Sequence, residues 1–354
     1  MRFIHTADIH LGANPESKRD WSIKRGDEIW STFEKLIKEI KNKPVDMLII
    51  AGDLFHRQPL LRELKEVDYL FSTIPNTKIV LCAGNHDAIK KGSFYQDFKW
   101  SDNVIFLDYK NVQKVEIPEL NTCVYGLSYH QTEIRDAMYD HVIVDNTDMI
   151  NILVAHGGDE KHIPINRKKV AMSGFDYVAM GHIHKPDIDE KNKIVYSGAL
   201  EPFDINDVGK RGYILGNVSK HRLDIEFIPF AKRIYINQEF TRAPTATNME
   251  IRHKLMDIIS EKGPDNMYNI ILNGYREPDF EISYSDIETV GNIVGITDDT
   301  IPDYDFEAIY QDNKDNILGM FIERFIDMGE LTLEQEKTLY YGTKALMDAM
   351  EDRV

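Results

Sequence analysis

Met47-Leu48-Ile49-Ile50, followed almost at once by Gly52-Asp53, is a short apolar run that ends on a glycine and a lone carboxylate. A run this short and without alternation is consistent with a strand buried on both faces, the kind found in parallel sheets. Four other runs repeat the theme. Phe3-Ile4 precedes Asp8 and His10, Ile79-Val80-Leu81 precedes Asn85, Ile152-Leu153-Val154 precedes His156, and Tyr177-Val178-Ala179-Met180 precedes His182 and His184. Between the first two runs, Trp21 to Lys41 places Ile29, Phe33, Leu36, Ile37 and Ile40 on one face of an expected amphipathic helix. Strand, polar cluster and helix in alternation make an α/β layout. Polar groups from separate strands meet only if the strands lie side by side with their carboxyl ends on one edge. Residues 104–126 and 193–229 read as short strands and hairpins, so a second mixed sheet is expected to pack on the first.

Near Pro229-Phe230-Ala231 the polar clusters stop, and we place a domain boundary there. Residues 232–305 read as a small α+β cap, with strands over Ile234–Phe240, Tyr268–Leu272 and Glu281–Tyr284 and a helix from about Met249 to Ser260. Residues 306–354 read as a helical segment. Asp315–Asp327 and Leu333–Met350 carry apolar residues at helical spacing (Ile317, Met320, Phe321, Phe325, Ile326; Leu339, Leu346, Met350), which either dock a partner or pack on the cap.

The 354 residues, 42% of them hydrophobic, suffice for one large and one smaller core and exclude intrinsic disorder as the default. No apolar stretch reaches the roughly 18 residues of a membrane span, and the chain opens on Arg2-Phe3-Ile4-His5 rather than on a leader. A soluble, cytoplasmic protein with no membrane partner is expected. Cys82 and Cys123 sit in apolar runs and read as buried reduced thiols. The net charge of −17 is uneven: residues 1–231 hold 30 Lys+Arg against 34 Asp+Glu, whereas residues 232–354 hold 12 against 25. The acidity that would repel nucleic acid therefore belongs to the C-terminal third.

The clusters carry a specific chemistry. Phosphodiesters resist nucleophiles because they are anionic, and two cations about 3.5–4 Å apart relieve the repulsion and activate water. Such a pair needs carboxylate, imidazole and amide donors. Asp8-Ile9-His10 offers two of them pointing the same way in an extended segment. Asp53 suits a bridge between two metals, Asn85 gives a neutral oxygen, and His156, His182 and His184 complete two sets. Mixed nitrogen and oxygen donors favour Mn²⁺, Zn²⁺ or Fe²⁺ over Mg²⁺ or Ca²⁺. Gly52, Gly84 and Gly181 directly precede donors, where turns often need unusual backbone angles.

These motifs, D-x-H, G-D, G-N-H-[DE], H and G-H-x-H in this order, resemble those of the calcineurin-like metallophosphoesterases. Within that superfamily, His5-Thr6-Ala7-Asp8-Ile9-His10-Leu11-Gly12 and Gly52-Asp53-Leu54-Phe55-His56 look like the SbcD-like DNA double-strand-break repair nucleases, well over residues 1–230 and in layout beyond. The resemblance implies two mixed sheets flanked by helices. It implies Asp8, His10, Asp53 and His184 on one metal and Asp53, Asn85, His156 and His182 on the other, with Mn²⁺ the expected ion. By the same resemblance His86 contacts the scissile phosphate and protonates the leaving oxygen, and His56 assists it or steers the strand. It further implies 3′ to 5′ exonuclease and endonuclease action on DNA, a homodimer, and an SbcC-like coiled-coil ATPase bound through the C-terminal helices. Two other readings stand beside this one: a metallophosphoesterase for a small phosphodiester or cyclic nucleotide, and a scaffold subunit whose metals are structural. Where the family has Ser after Tyr196-Ser197-Gly198, this chain has Ala199, and the acids Glu201, Asp204 and Asp207 follow, which puts phosphate contact from that loop in doubt. Two basic groups, Lys161 with Arg167, Lys168 and Lys169, and Lys18 with Arg19, Lys24 and Arg25, read either as backbone-tracking patches or as solvated faces. Asp159 and His162 read as loop residues.

Overall fold

The computed structural model describes residues 1–220, 222–326 and 328–351; the expected helix end at Asp327 and the last residues of the 306–354 segment lie outside them. The chain divides into two compact units, Met1–Tyr235 and Ile236–Val354.

In chain order the first unit contains β1 (Arg2–Thr6), α1 (Arg25–Asn42), β2 (Met47–Ala51), α2 (Leu61–Ser72), β3 (Lys78–Cys82), α3 (Phe94–Asp97), β4 (Val104–Phe106), β5 (Gln113–Ile117), β6 (Thr122–Gly126), β7 (Ile150–His156), α4 (Arg167–Met172), β8 (Tyr177–Gly181), β9 (Asp187–Asp189), β10 (Ile194–Tyr196), β11 (Gly212–Val218) and β12 (Leu223–Pro229). The strands form two mixed six-stranded sheets, ordered β12-β11-β1-β2-β3-β4 and β5-β6-β7-β8-β10-β9. Strands β1 to β4 run parallel, as do β6, β7, β8 and β10. Antiparallel β11 and β12 extend the first sheet beyond β1, and antiparallel β5 and β9 form the two edges of the second.

Period-two alternation explains the layering. Every residue of β2 is buried because each of its faces meets a different layer. Leu48 and Ile50 join Ile79 and Leu81 against Phe33, Leu36 and Ile37 of α1 and Val67 and Phe71 of α2. Met47 and Ile49 turn the other way, joining Val80 and Cys82 against Val124, Ile152, Val154, Tyr177 and Ala179 of the second sheet. Tyr125, Leu153, Val178 and Met180 face outward from that sheet into a third cluster, with Tyr129, Tyr139 and Val170. Both cysteines are buried and free.

The second unit contains β13 (Tyr235–Arg242), α5 (Asn248–Lys262), β14 (Met267–Arg276), α6 (Tyr284–Glu288), β15 (Asn292–Asp298), β16 (Ile301–Pro302), α7 (Phe306–Asp312), α8 (Ile317–Ile326) and α9 (Leu333–Glu351). A capping box between Thr247 and Glu250 starts α5, whose Ile251, Leu255 and Ile259 pack on Tyr268, Ile270 and Leu272. One expectation fails here. Residues 281–283 are not a strand and Tyr284 begins α6; the strand beside β14 is β15 instead. The Asn248 side chain takes the place of a neighbouring strand: its amide donates to the Glu281 carbonyl at 2.9 Å and its oxygen accepts from the Ser283 amide at 3.0 Å. Leu318 and Ile322 of α8 and Leu339 of α9 form the helical core, while Ile317 and Met320 are exposed.

Candidate metal centre

The loops leaving β1 and β2 continue side by side past the end of the sheet. The Asp8 amide donates to the Gly52 carbonyl at 3.1 Å and the His10 amide to the Asp53 carbonyl at 3.0 Å. This extension of the ladder lays Asp8 and His10 along Asp53. In the second sheet the register pairs His156 with Gly181, so His182 emerges beside His156. Asp8, His10, Asp53 and His182 all adopt positive φ (50°, 52°, 51° and 92°), a conformation that costs non-glycine residues on the order of 1–3 kcal/mol each. The glycines have a different task from the one expected of all three. Gly52 has positive φ, but Gly84 and Gly181 do not. At Gly84 a Cβ would lie 2.2 Å from Asp53 Oδ1, and at Gly52 one would lie 2.2 Å from His156 Nδ1. The missing side chains leave the space that the donors occupy.

All seven expected donors converge. Asp8, His10 and His184 have donor atoms within 4.8 Å of one another, as do Asp8, Asp53 and His156. Asp53 lies between the two groups, its Oδ2 3.9 Å from His10 Nε2 and 3.4 Å from His156 Nε2. Asn85 Oδ1 is 3.0 Å from His156 Nε2 and 3.1 Å from His182 Nδ1. Two backbone amides hold the carboxylates: His182 donates to both oxygens of Asp8 at 3.0 Å, and His86 donates to Asp53 Oδ1 at 2.9 Å. In the next layer Asp87 accepts from the Gly84 and Phe55 amides, which ties the third loop to the second.

The outer nitrogens of the imidazoles decide what the inner ones can do. His156 Nδ1 donates to the Ala51 carbonyl at 2.9 Å, His182 Nε2 to Asp159 at 2.8 Å, and His184 Nδ1 to Asp207 at 3.3 Å. In each neutral ring the inner nitrogen is then a lone pair. The His182 Nδ1 lone pair faces another acceptor, the Asn85 oxygen, at 3.1 Å, and the Nε2 atoms of His184 and His10 face each other at 3.3 Å. Acceptors set against acceptors are unfavourable unless a cation lies among them. The donor set therefore fits divalent cations, with nitrogen and oxygen mixed in each group.

Charge distribution agrees. Burial lifts the Asp8 carboxyl to about 6 and drives His10 well below the usual imidazole range. Burial would also raise Asp53, but His156 outweighs it and keeps Asp53 ionised; in return Asp53 overcomes the burial of His156 and holds that ring at about 9. In the cation-free protein the pair is thus a buried imidazolium–carboxylate, and a metal takes the lone pair that the proton otherwise occupies. His182 is lowered to about 4 by burial and by neighbouring His156.

His86 is exposed and outside the seven. Its Nδ1 donates to the His56 carbonyl at 3.1 Å, leaving Nε2 uncommitted, and its ring stacks on that of His56 at 5.0 Å. His56 is half-buried, with Nδ1 3.4 Å from His10 Nδ1. Three groups had no signal in the sequence as parts of a site: Asp159, Asp207, and Phe203, whose ring lies 4.5 Å from those of His10 and His184. Each arrives on a loop with no motif of its own. Glu201 is a buried framework residue that accepts from Thr32 and from the Lys232 amide. Of the basic residues, Arg25 is fully buried, bonded to Glu28 and to the Pro202 carbonyl, and cannot follow a nucleic-acid backbone. Arg167 and Lys169 pair with Asp187 and Asp140.

The calcineurin-like phosphoesterase family matches residues 1–186, more than half of the chain and all five motifs up to His184. The chain belongs to that family. Calcineurin-like phosphoesterases are metal-dependent phosphoester hydrolases that bind two divalent metals, in keeping with the donor clusters above. Among its curated relatives, this phosphoesterase is 30% identical over 246 residues to the DNA double-strand break repair protein Mre11 of Methanocaldococcus jannaschii, covering 64% of this chain and 65% of that protein. It is 25% identical over 247 residues to the uncharacterized metallophosphoesterase YhaO of Bacillus subtilis, covering 64% of this chain and 60% of that one. The matched region thus spans less than two thirds of either relative. Among the described residues no helix is long and apolar enough to cross a membrane.

Proposed function

We propose that this protein is a two-metal DNA nuclease, a 3′ to 5′ exonuclease with endonuclease activity, in which Asp8, His10, Asp53 and His184 hold one cation and Asp53, Asn85, His156 and His182 the other. The observation that carries the reading is His86: an exposed imidazole whose backbone amide donates to Asp53, with one ring nitrogen anchored to the His56 carbonyl and the other uncommitted. A purely structural metal site has no use for such a group.

When bound, two divalent cations neutralise a phosphodiester and lower the pKa of water beside it. The chain's own residues do the rest. Asp53 keeps the two donor groups together. His86, anchored through Nδ1 to the His56 carbonyl, in its imidazolium form presents Nε2–H to the leaving oxygen and gives up that proton as the P–O bond breaks. His56 buttresses that ring, and Phe203 walls the site on the His10 and His184 side. The donor mixture accepts Mn²⁺, Zn²⁺ or Fe²⁺, and Mn²⁺ is the ion that the resemblance to the SbcD-like nucleases implies. DNA as substrate draws on likeness to the archaeal DNA double-strand break repair protein Mre11; a homodimer and a coiled-coil ATPase of the SbcC type docking on the helices of residues 306–354 draw on the motifs' resemblance to the SbcD-like nucleases.

The test is incubation of the purified protein with Mn²⁺ and end-labelled single- and double-stranded DNA, alongside bis-p-nitrophenyl phosphate. Shortening of DNA from its 3′ end is expected. Hydrolysis of the small ester alone would overturn the nuclease reading while keeping the phosphoesterase, and hydrolysis of neither would leave a scaffold.

A further inference from the structure

The two proposed cations do not have equal support. His184 and His182, two residues apart, each give their outer nitrogen to a carboxylate, but the carboxylates differ. Asp207 is buried, with a side chain 6% exposed, and it also accepts from the Phe203 amide and lies 3.4 Å from Arg211. Asp159 is 45% exposed. It divides itself between His182 Nε2 at 2.8 Å, His162 Nδ1 at 2.9 Å and the Lys161 and His162 amides at 2.8 and 2.9 Å. The His162 ring lies 4.4 Å from that of His182 and competes for the same oxygens.

Resting on the two-metal reading above, we propose that Asp159 is a positioning residue for the cation shared by Asn85, His156 and His182, and that its exposure makes this cation the weaker and more readily exchanged of the two. A carboxylate on the outer nitrogen of a ligating histidine fixes the tautomer, holds the ring against rotation and raises the basicity of the inner nitrogen; losing it typically costs about 10–100-fold in metal affinity. On the His184 side Asp207 does this from inside the protein. On the His182 side the contact is shorter, 2.8 Å against 3.3 Å, but water and His162 both reach the carboxylate, so it is the more readily exchanged of the two. Asn85 adds to the imbalance, because a neutral amide oxygen attracts a cation less than the carboxylate of Asp8 does on the other side.

The experiment is a Mn²⁺ titration of metal-free full-length protein by calorimetry, with EDTA-driven release followed in time. The wild type is expected to bind two Mn²⁺ ions with unequal affinities and to lose the weaker first. Asp159→Ala is expected to weaken that step by about 10–100-fold and to leave the tighter step within a factor of two or three. Asp159→Asn keeps an oxygen acceptor and is expected to recover part of the loss, while the melting temperature in EDTA stays that of the wild type for both variants. Two equal affinities in the wild type, or an unchanged weak step in Asp159→Ala, would overturn the proposal and leave the two-metal site standing. Binding of fewer than two ions by the wild type would instead remove the reading on which it rests. Should Asp159→Ala melt lower in EDTA, the residue is a loop brace and the assignment fails.

Discussion

The strands of the two units end differently. In the second unit β15 ends on Asp298, whose carboxylate is satisfied by protein donors: the Thr300 amide at 2.9 Å, the Thr300 hydroxyl at 2.6 Å and the Tyr284 hydroxyl at 2.8 Å. In the first unit β1, β3, β7 and β8 run into a cluster of donors in which lone pairs face one another, as with His182 and Asn85. Every non-glycine residue of positive φ among the described residues belongs to the first unit, and four of the eight are proposed metal donors. Local strain together with acceptors facing acceptors lowers stability, so its concentration on one sheet edge marks where binding rather than folding shaped the residues. Asp298 shows what a carboxylate at a strand end looks like when its bonds serve the fold.

Breaking the first pattern should have the largest effects. Asp53→Asn removes the charge both donor groups share, and activity toward bis-p-nitrophenyl phosphate is expected to fall to background with loss of bound metal by elemental analysis. His86→Ala should lower kcat by about 10²–10⁴-fold, the range for a lost general acid, while two metals per chain remain; a fall in metal content would assign His86 to coordination instead. Gly84→Ala forces a methyl into the space of Asp53 Oδ1, and a displacement near 1 Å is expected to cost about 100-fold in kcat. The second unit should respond in stability only. Leu255→Ala, in a fully buried position, is expected to cost about 2–5 kcal/mol in denaturant unfolding with no change in metal stoichiometry. The smallest effect is expected from Asn248→Ala, about 0.5–1.5 kcal/mol, since it removes the bonds to the Ser283 amide and the Glu281 carbonyl where water can partly replace them.

The contrast also accounts for what could be read from the sequence. The convergence of the seven proposed donors was legible because each ends a strand or follows one by a few residues, so linear spacing and spatial convergence coincide in a parallel sheet. The helix over Arg25–Asn42 was legible through its apolar face. Asp159 and Asp207 were not, because the loops that bring them to His182 and His184 have no periodicity and their partners are remote in sequence. The same limit produced the error at residues 281–283, where apolar spacing suggested a strand and a single asparagine from α5 supplied the backbone bonds instead. At the glycines the pattern was visible but the cause was not: only coordinates distinguish a need for positive φ from a need for empty space, as Gly52 and Gly84 illustrate.

The most direct test of the central claim is anomalous diffraction from crystals of this protein soaked in Mn²⁺. The account predicts two peaks about 3.5–4 Å apart with the Asp53 carboxylate between them, one beside His10 and His184 and the other beside Asn85, His156 and His182. A single peak, or peaks away from Asp53, would contradict it.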